Sequence, residues 1–265
     1  MNIGFIGSGN MATALIKGFI SSKKVCAEDI TVSDKNPDNL KKWFDSGVKT
    51  AKDNASLCET SDIIIYAVKP DVLPFVLEET KTAVKSKLVV SIAAGVSIKT
   101  IEEILGKDAK IVRAMPNTPA QVGCGMTVLS SNKSISSSEA DRICDLFAAA
   151  GDATILDEKY INAATALHGS SPAYVYMMIE AMANSGVKHG IPKNISLKLA
   201  AKAVEGAAKM VLETNIHPSE LKDAVCSPGG TTIAAVMELE KGGYSATISA
   251  AVDACVKKAE EMAAK

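Results

Sequence analysis

Aromatic residues are scarce in this chain. Of 265 residues one is Trp, five are Tyr and five are Phe. They are also unevenly placed: Trp43 and all five Phe precede residue 150, and beyond residue 160 only Tyr174, Tyr176 and Tyr244 remain. An excess of charge is lacking too. With 29 basic and 30 acidic residues the net charge is −1, so no polyanion-binding surface and no nucleic-acid partner is expected. No run of 18 apolar residues occurs, which excludes a membrane-spanning helix and argues against a membrane partner. Six cysteines, Cys26, Cys58, Cys124, Cys144, Cys226 and Cys255, are scattered with no C-x-x-C pair. That pattern fits reduced thiols in a packed interior and excludes a disulfide frame or a zinc site. The three histidines show no ligand spacing, so no metal is expected. The first seven residues lack a basic segment and read as a strand, not a signal peptide, which points to a cytoplasmic protein.

What is present divides the chain in two. Short β-branched runs recur at 2–6, 30–33, 62–68, 88–92 and 110–115, with helical spacing over 10–22, 37–46, 71–84 and 97–105 between them. Pro37 and Pro70 stand where a helix would begin, which suits their fixed φ and missing N–H. Strands separated by helices imply βαβ units and a parallel sheet covered on both faces. Two further strands, 126–130 and 153–156, flank a helix at about 137–150. From about 158 the strand signal stops, and 158–168, 172–188, 194–214 and 245–263 read as helices. The expected fold is therefore α/β: an N-terminal Rossmann-type, doubly wound, mostly parallel sheet over residues 1–158, then an all-helical region over 159–265. Alanine rises from 17 in residues 1–160 to 21 in the shorter 161–265. Small residues let helix axes approach closely, but such helices bury little by themselves. Burial against a second copy would complete their core, so a homodimer, or a larger homo-oligomer built from dimers, is expected; the alternative is an ordinary helical lobe packed on the first domain.

The motif Gly7-Ser8-Gly9-Asn10-Met11-Ala12 follows the first strand and opens a helix. It fits G-x-G-x-x-A: Gly7 for the tight turn, Gly9 for backbone approach to a pyrophosphate, Ala12 for close helix–strand packing. The helix N-terminus adds unpaired N–H groups for the phosphates. The second strand ends in Ser33-Asp34-Lys35-Asn36. Asp34 stands near the place of an acid that binds a ribose 2′-hydroxyl, which favours NAD. Ser33, Lys35 and Asn36 are suited to a 2′-phosphate, which favours NADP, and Asp34 alternatively caps the next turn. The cofactor choice stays open between NADP and NAD.

Three more segments fall at carboxyl ends of strands, where open α/β sheets bind ligands. They contain Ala67, Val68, Lys69 and Pro70; Ala93, Ala94 and Gly95; and Pro116, Asn117, Thr118 and Pro119. In the helical region Ser227-Pro228-Gly229-Gly230-Thr231-Thr232 runs into an apolar helical stretch. A glycine turn feeding a helix start exposes N–H groups suited to a small carboxylate; equally, it is a plain capped helix.

Together these pieces resemble the pyrroline-5-carboxylate reductase family over nearly the whole chain. The match runs through Gly7 to Met11, Ala67 to Pro70, the Ala93-Ala94-Gly95 loop, the Pro116-Asn117 loop, and Gly169-Ser170-Ser171-Pro172-Ala173-Tyr174. It ends in Leu221-Lys222-Asp223 and Ser227 to Thr232, the family's signature region. The resemblance implies an N-terminal cofactor domain and a helical dimerisation domain, with active sites completed by the partner subunit. It implies reduction of the cyclic imine 1-pyrroline-5-carboxylate to L-proline by NAD(P)H, the last step of proline biosynthesis. By position, Gly7, Ser8, Gly9, Asn10 and Met11 would hold the pyrophosphate, and Ser33, Asp34 and Lys35 would face the adenosine ribose. Asn54, Ala67, Val68, Lys69, Pro70, Ala93, Ala94, Gly95 and Asn117 would line the rest. Ser227, Gly230, Thr231 and Thr232 would hold the substrate carboxylate, with the Thr232 hydroxyl in reach as the catalytic candidate. Two positions depart from the family: His168 stands where Ser is usual, and Ala224 lacks the amide some members carry.

Hydride transfer to a protonated imine asks for binding, orientation and exclusion of water more than for acid–base groups. The absence of an obvious triad fits that. Two other functions remain compatible with the residues: a different small-imine or β-hydroxyacid reductase of the same plan, and a nonenzymatic NAD(P)-binding protein.

Overall fold

The computed structural model describes residues 1–263 and divides into two compact units. The first holds residues 1–170 and the C-terminal turns from Cys255; the second holds Ser171–Ala254. The boundary expected at 158/159 falls inside the first unit, in the turn that follows its last strand.

The first unit is built on an eight-stranded sheet: β1 (Ile3–Ile6), β2 (Ile30–Ser33), β3 (Lys49–Thr50), β4 (Ile63–Tyr66), β5 (Leu88–Ser91), β6 (Lys110–Met115), β7 (Gly125–Ser131) and β8 (Gly151–Ile155). Their order is β3-β2-β1-β4-β5-β6-β7-β8, and every neighbouring pair is parallel except β6 with β7. The strand order reverses between β1 and β4, so a crevice opens beside the end of β1. Helices α1 (Asn10–Ser21), α2 (Pro37–Lys41), α3 (Asn54–Thr60), α4 (Leu73–Thr80), α5 (Ile98–Leu105) and α6 (Ser137–Ala148) connect the strands. Two apolar clusters lie on opposite faces. Phe5, Leu15, Phe19 and Phe147 belong to one; Ile6, Leu57, Tyr66 and Leu77 belong to the other. All eight of these side chains are buried, because both faces of a parallel sheet are covered.

Four stretches depart from the sequence pattern. β3 is two residues long and joins only through its pairing with Thr31 and Val32. α3 is seven residues, started by the Asp53 carboxylate accepting the Ser56 N–H at 2.8 Å. The helical spacing over 37–46 stops at Lys41, where the chain turns toward Gly47 at φ +80°. The helix expected over 158–168 is broken into a 3-10 turn (Glu158–Tyr160), α7 (Ile161–Ala164) and a π-helical turn (Thr165–Gly169).

The second unit contains α8 (Ser171–Lys188), α9 (Lys193–Thr214), α10 (Pro218–Val225), α11 (Thr231–Lys241) and the start of α12 (Tyr244–Ala263). The eight-residue α10 was not expected from periodicity; the His217 Nδ1 caps it by accepting the Ser219 N–H at 3.2 Å. Helices α8 and α9 approach closely at Gly186, where a Cβ would stand 2.5 Å from Ser196 Oγ. Only Ala183, Ser196 and Ala200 of this unit are buried, whereas Tyr176, Met177, Leu199, Leu212, Val225 and Met237 are each more than half exposed. A helical unit with so little interior and so much apolar surface is a binding surface in waiting.

Candidate active site

The glycine loop sits where β1 ends. Gly7 has φ +93°, and a Cβ there would stand 2.6 Å from the Ala67 carbonyl oxygen, so no other residue fits this approach to the end of β4. The loop is pinned from both sides: Gly7 N–H donates to Ser33 O at 2.7 Å, and Ala67 N–H donates to Ile6 O at 2.8 Å. Gly9 is the N-cap of α1 and carries no side-chain cap, so the first N–H groups of that helix are open to a ligand. A Cβ on Gly9 would meet nothing within 4 Å, which leaves room for a bulky anion against the backbone.

Around this loop lies a cavity of about 310 Å³. Gly7, Gly9, Ser33, Asp34, Lys35, Asn54, Ala67, Val68 and Lys69 line it, with Ile6, Asn39, Val72 and Val76 from neighbouring segments. Nine of the residues singled out for a cofactor are thus gathered, eight at the carboxyl ends of β1, β2 and β4 and Asn54 at the start of α3. Asn54 accepts the Ser33 hydroxyl at 2.7 Å and donates to Glu79 at 3.1 Å, so its amide is locked. A second cavity of about 220 Å³ lies past the ends of β5 and β6; Ala94, Gly95, Arg113, Met115, Thr165 and Lys258 are among its walls.

Several candidates sit elsewhere. Ser8 is fully buried and Ala93 is part of the core beneath the sheet edge. Met11 packs on the core cluster, Pro70 is exposed outside both cavities, and Asn10 lines a separate cleft with Thr13 and Lys17. Asn117 is buried and spends both ends of its amide inside the protein: Nδ2 donates to His168 O at 2.9 Å, and Oδ1 accepts Met126 N–H at 2.8 Å. Asn117 therefore braces the loop after β6. His168 does the same from the π-helical turn. Its Nε2 lies 2.8 Å from Met115 O and its Nδ1 2.6 Å from Ala164 O.

In the second unit Ser227 to Gly230 form a turn with Pro228 and Gly229 at its centre; Gly229 has φ +67° and Gly230 N–H donates to Ser227 O at 3.0 Å. The Gly230 N–H, expected to face a carboxylate, is thus used within the turn. Gly230 is the N-cap of α11 without a side-chain cap, so the N–H groups of Thr231 and Thr232 lie in the first turn with no intrahelical partner. The sequence pattern also missed Asn39 and Lys42. Both come from the stretch after β2 and act on Ser8, through contacts that no local motif encodes.

A family model for pyrroline-5-carboxylate reductase dimerisation matches residues 158–262, and one for NADP oxidoreductase, coenzyme F420-dependent, matches residues 2–95. Pyrroline-5-carboxylate reductase of Escherichia coli K12 is 45% identical over 262 residues, covering 98% of this chain and 97% of its own length. The solved pyrroline-5-carboxylate reductase of Coxiella burnetii is 36% identical and superposes over 98% of both chains with a TM-score of 0.93. The Plasmodium falciparum pyrroline carboxylate reductase, solved with NADP bound, is 34% identical over 99% of this chain and 98% of its own, with a TM-score of 0.89. The sheet order, the glycine loop and these full-length likenesses agree, and the chain belongs to the pyrroline-5-carboxylate reductase family.

Proposed function

We propose that this chain reduces 1-pyrroline-5-carboxylate to L-proline with NAD(P)H, the last step of proline biosynthesis. The observation that carries the reading is the crevice at the β1/β4 switch point, where Gly7, Gly9, Asn54, Val68 and Lys69 form one wall-to-wall nucleotide cradle. The bound dinucleotide supplies the hydride. Gly9 and the start of α1 take the pyrophosphate on open N–H groups, and Ser33 and Lys35 face the adenosine ribose. Ala94 and Gly95 line the cavity that receives the nicotinamide end.

Thr231 and Thr232 hold the substrate carboxylate through their N–H groups and the Thr232 hydroxyl, with Ser227 shaping the turn that aims them. The imine carbon accepts the hydride while its nitrogen already carries the proton, so C5 becomes a CH₂ and the ring nitrogen a secondary amine. No side chain has to deliver a proton in that step, and no metal takes part. The under-buried second unit serves dimerisation, with each active site completed across the pair. A cytoplasmic enzyme acting on a small molecule fits every part of this reading.

Initial rates with the imine and either NADPH or NADH, with proline identified as product, test it. Imine-dependent oxidation of nucleotide supports the reading. Nucleotide binding without turnover would make the chain a nonenzymatic binder, and turnover only of other imines or of β-hydroxyacids would change the substrate class.

A further inference from the structure

Asp34 closes β2, where an acid in a dinucleotide fold ordinarily accepts the hydroxyls of the adenosine ribose. Here its carboxylate is turned inward. Oδ2 accepts the Ser8 N–H at 2.8 Å, the Ser8 hydroxyl at 3.2 Å and the Asn39 amide at 3.1 Å. Oδ1 accepts the Asn36 N–H at 2.9 Å. The Ser8 hydroxyl is shared with the Asn39 carbonyl oxygen at 3.2 Å, so Oδ2 is filled by the Ser8 N–H and the Asn39 amide, and Oδ1 keeps one lone-pair site beyond the Asn36 N–H. Burial raises the Asp34 carboxyl, but the hydrogen bonds from Asn36, Ser8 and Asn39 outweigh that and lower it, so the group is anionic at neutral pH.

The same residue is held from its other side. Lys42 Nζ donates to the Ser8 carbonyl oxygen and to Thr13 Oγ1, the latter at 2.8 Å. Ser8 is fully buried and flanked by two glycines, and its carbonyl oxygen also accepts the Thr13 hydroxyl at 3.4 Å. Glycine-flanked backbone has many conformations to lose, and only external partners hold it in one.

We infer that Asp34 and Lys42 form a charged bracket on Ser8 that holds the glycine loop in its nucleotide-ready shape. Asp34 is then a positioning residue common to both coenzymes, and does not select NADH through the ribose. The inference rests on the reading of this crevice as the NAD(P)H site.

Binding of NAD⁺ and NADP⁺ without imine, measured by calorimetry on D34A, K42A, D34N and the double variant D34A/K42A, tests it. Loss of a hydrogen bond to a charged group is expected to raise Kd about ten- to hundred-fold. The rise should be alike for both nucleotides, with their ratio held within about twofold, and the KM for imine at saturating nucleotide should stay unchanged. D34N keeps one acceptor for the Ser8 N–H and should recover part of the affinity for both. The double variant should lose less than the product of the single losses, because both act on Ser8. A loss confined to NAD⁺ in D34A would make Asp34 the ribose acceptor and overturn the inference. A loss confined to NADP⁺ in K42A would make Lys42 a phosphate ligand and overturn it as well, as would unchanged binding in both. If D34A fails to fold, D34N and K42A decide by the same ratios. Nucleotide bound but no imine reduced sinks the enzymatic reading alone; no nucleotide bound by the unsubstituted chain sinks both.

Discussion

The guanidinium of Arg113 and the carboxylate of Glu158 meet at 3.0 Å, with the Arg113 side chain only 7% exposed. The same Glu158 oxygen accepts the Ile98 N–H at 2.8 Å, at the first turn of α5. One carboxylate thus ties β6 to the start of α5, on either side of the loops that carry Met115 and Gly95. Glu158→Gln keeps an acceptor for Ile98 but leaves Arg113 buried without a counter-charge. Breaking a buried pair costs ~3–5 kcal/mol. Glu158 is 30% exposed, so solvent screens part of this and a loss of about 2–3 kcal/mol is expected. Urea unfolding at fixed protein concentration measures it; a change below about 0.5 kcal/mol, the size of an ordinary surface substitution, would show that the pair does not hold these elements.

Thr232 stands in the first turn of α11. Removing a hydroxyl bonded to a charged group costs ~1.5–3 kcal/mol, about ten- to hundred-fold in rate. Thr232→Ala is expected to raise the imine KM and lower kcat/KM by that factor, with nucleotide affinity untouched. An unchanged kcat/KM would remove Thr232 from the site.

Glu139 is the acid of a capping box at the start of α6, bonded to Ser136, and it also accepts Lys110 Nζ at 2.6 Å. The Lys110 bond first, and then the Ser136 bonds, hold its carboxyl down from the ordinary 4.5 to about 2. A folded value below the unfolded one means stabilisation that is complete above 4.5 and is lost as pH falls toward about 2. Glu139→Gln should therefore be less stable than the parent near neutral pH, with the gap closing as pH falls from 4.5 toward about 2. A gap independent of pH in denaturant titrations would contradict this.

Burial, and then the charge of Glu79, push the Cys58 thiol up to about 12. Cys26 is exposed. A maleimide at pH 7.5 followed by mass spectrometry should label Cys26 in the native protein and reach Cys58 only after unfolding. Equal labelling rates at the two sites would show that the α3 packing opens readily.

The cradle was legible where local chemistry and chain geometry coincide. Gly7 is demanded by a positive φ and a close approach to Ala67, and a glycine doublet between a strand and a helix announces such a turn. The long strands and α1, α5, α6, α8 and α9 carry enough period to be read directly. β3 and α3 were not, since two and seven residues hold too little pattern and their partners lie elsewhere in the chain. Asp34 and Asn117 were read correctly as residues of the sheet's carboxyl edge, but what their side chains touch depends on Ser8, Met126 and His168, which lie from 9 to 51 positions away.

The amino-acid sequence by itself determined a parallel sheet with a glycine loop at its head, a helical half too poor in bulky residues to bury itself, and a Pro-Gly-Gly turn opening a helix. These follow from period, conformational freedom and side-chain volume, which act over a few residues. Only the tertiary structure decided which polar groups remain open to a ligand. It closed the Gly230 N–H within its own turn and turned Asp34 inward onto the glycine loop. It also brought Lys42 to the far side of Ser8. Hydrogen-bonding capacity is finite, and whether a donor or acceptor is free depends on partners that the folded chain alone brings within 3 Å.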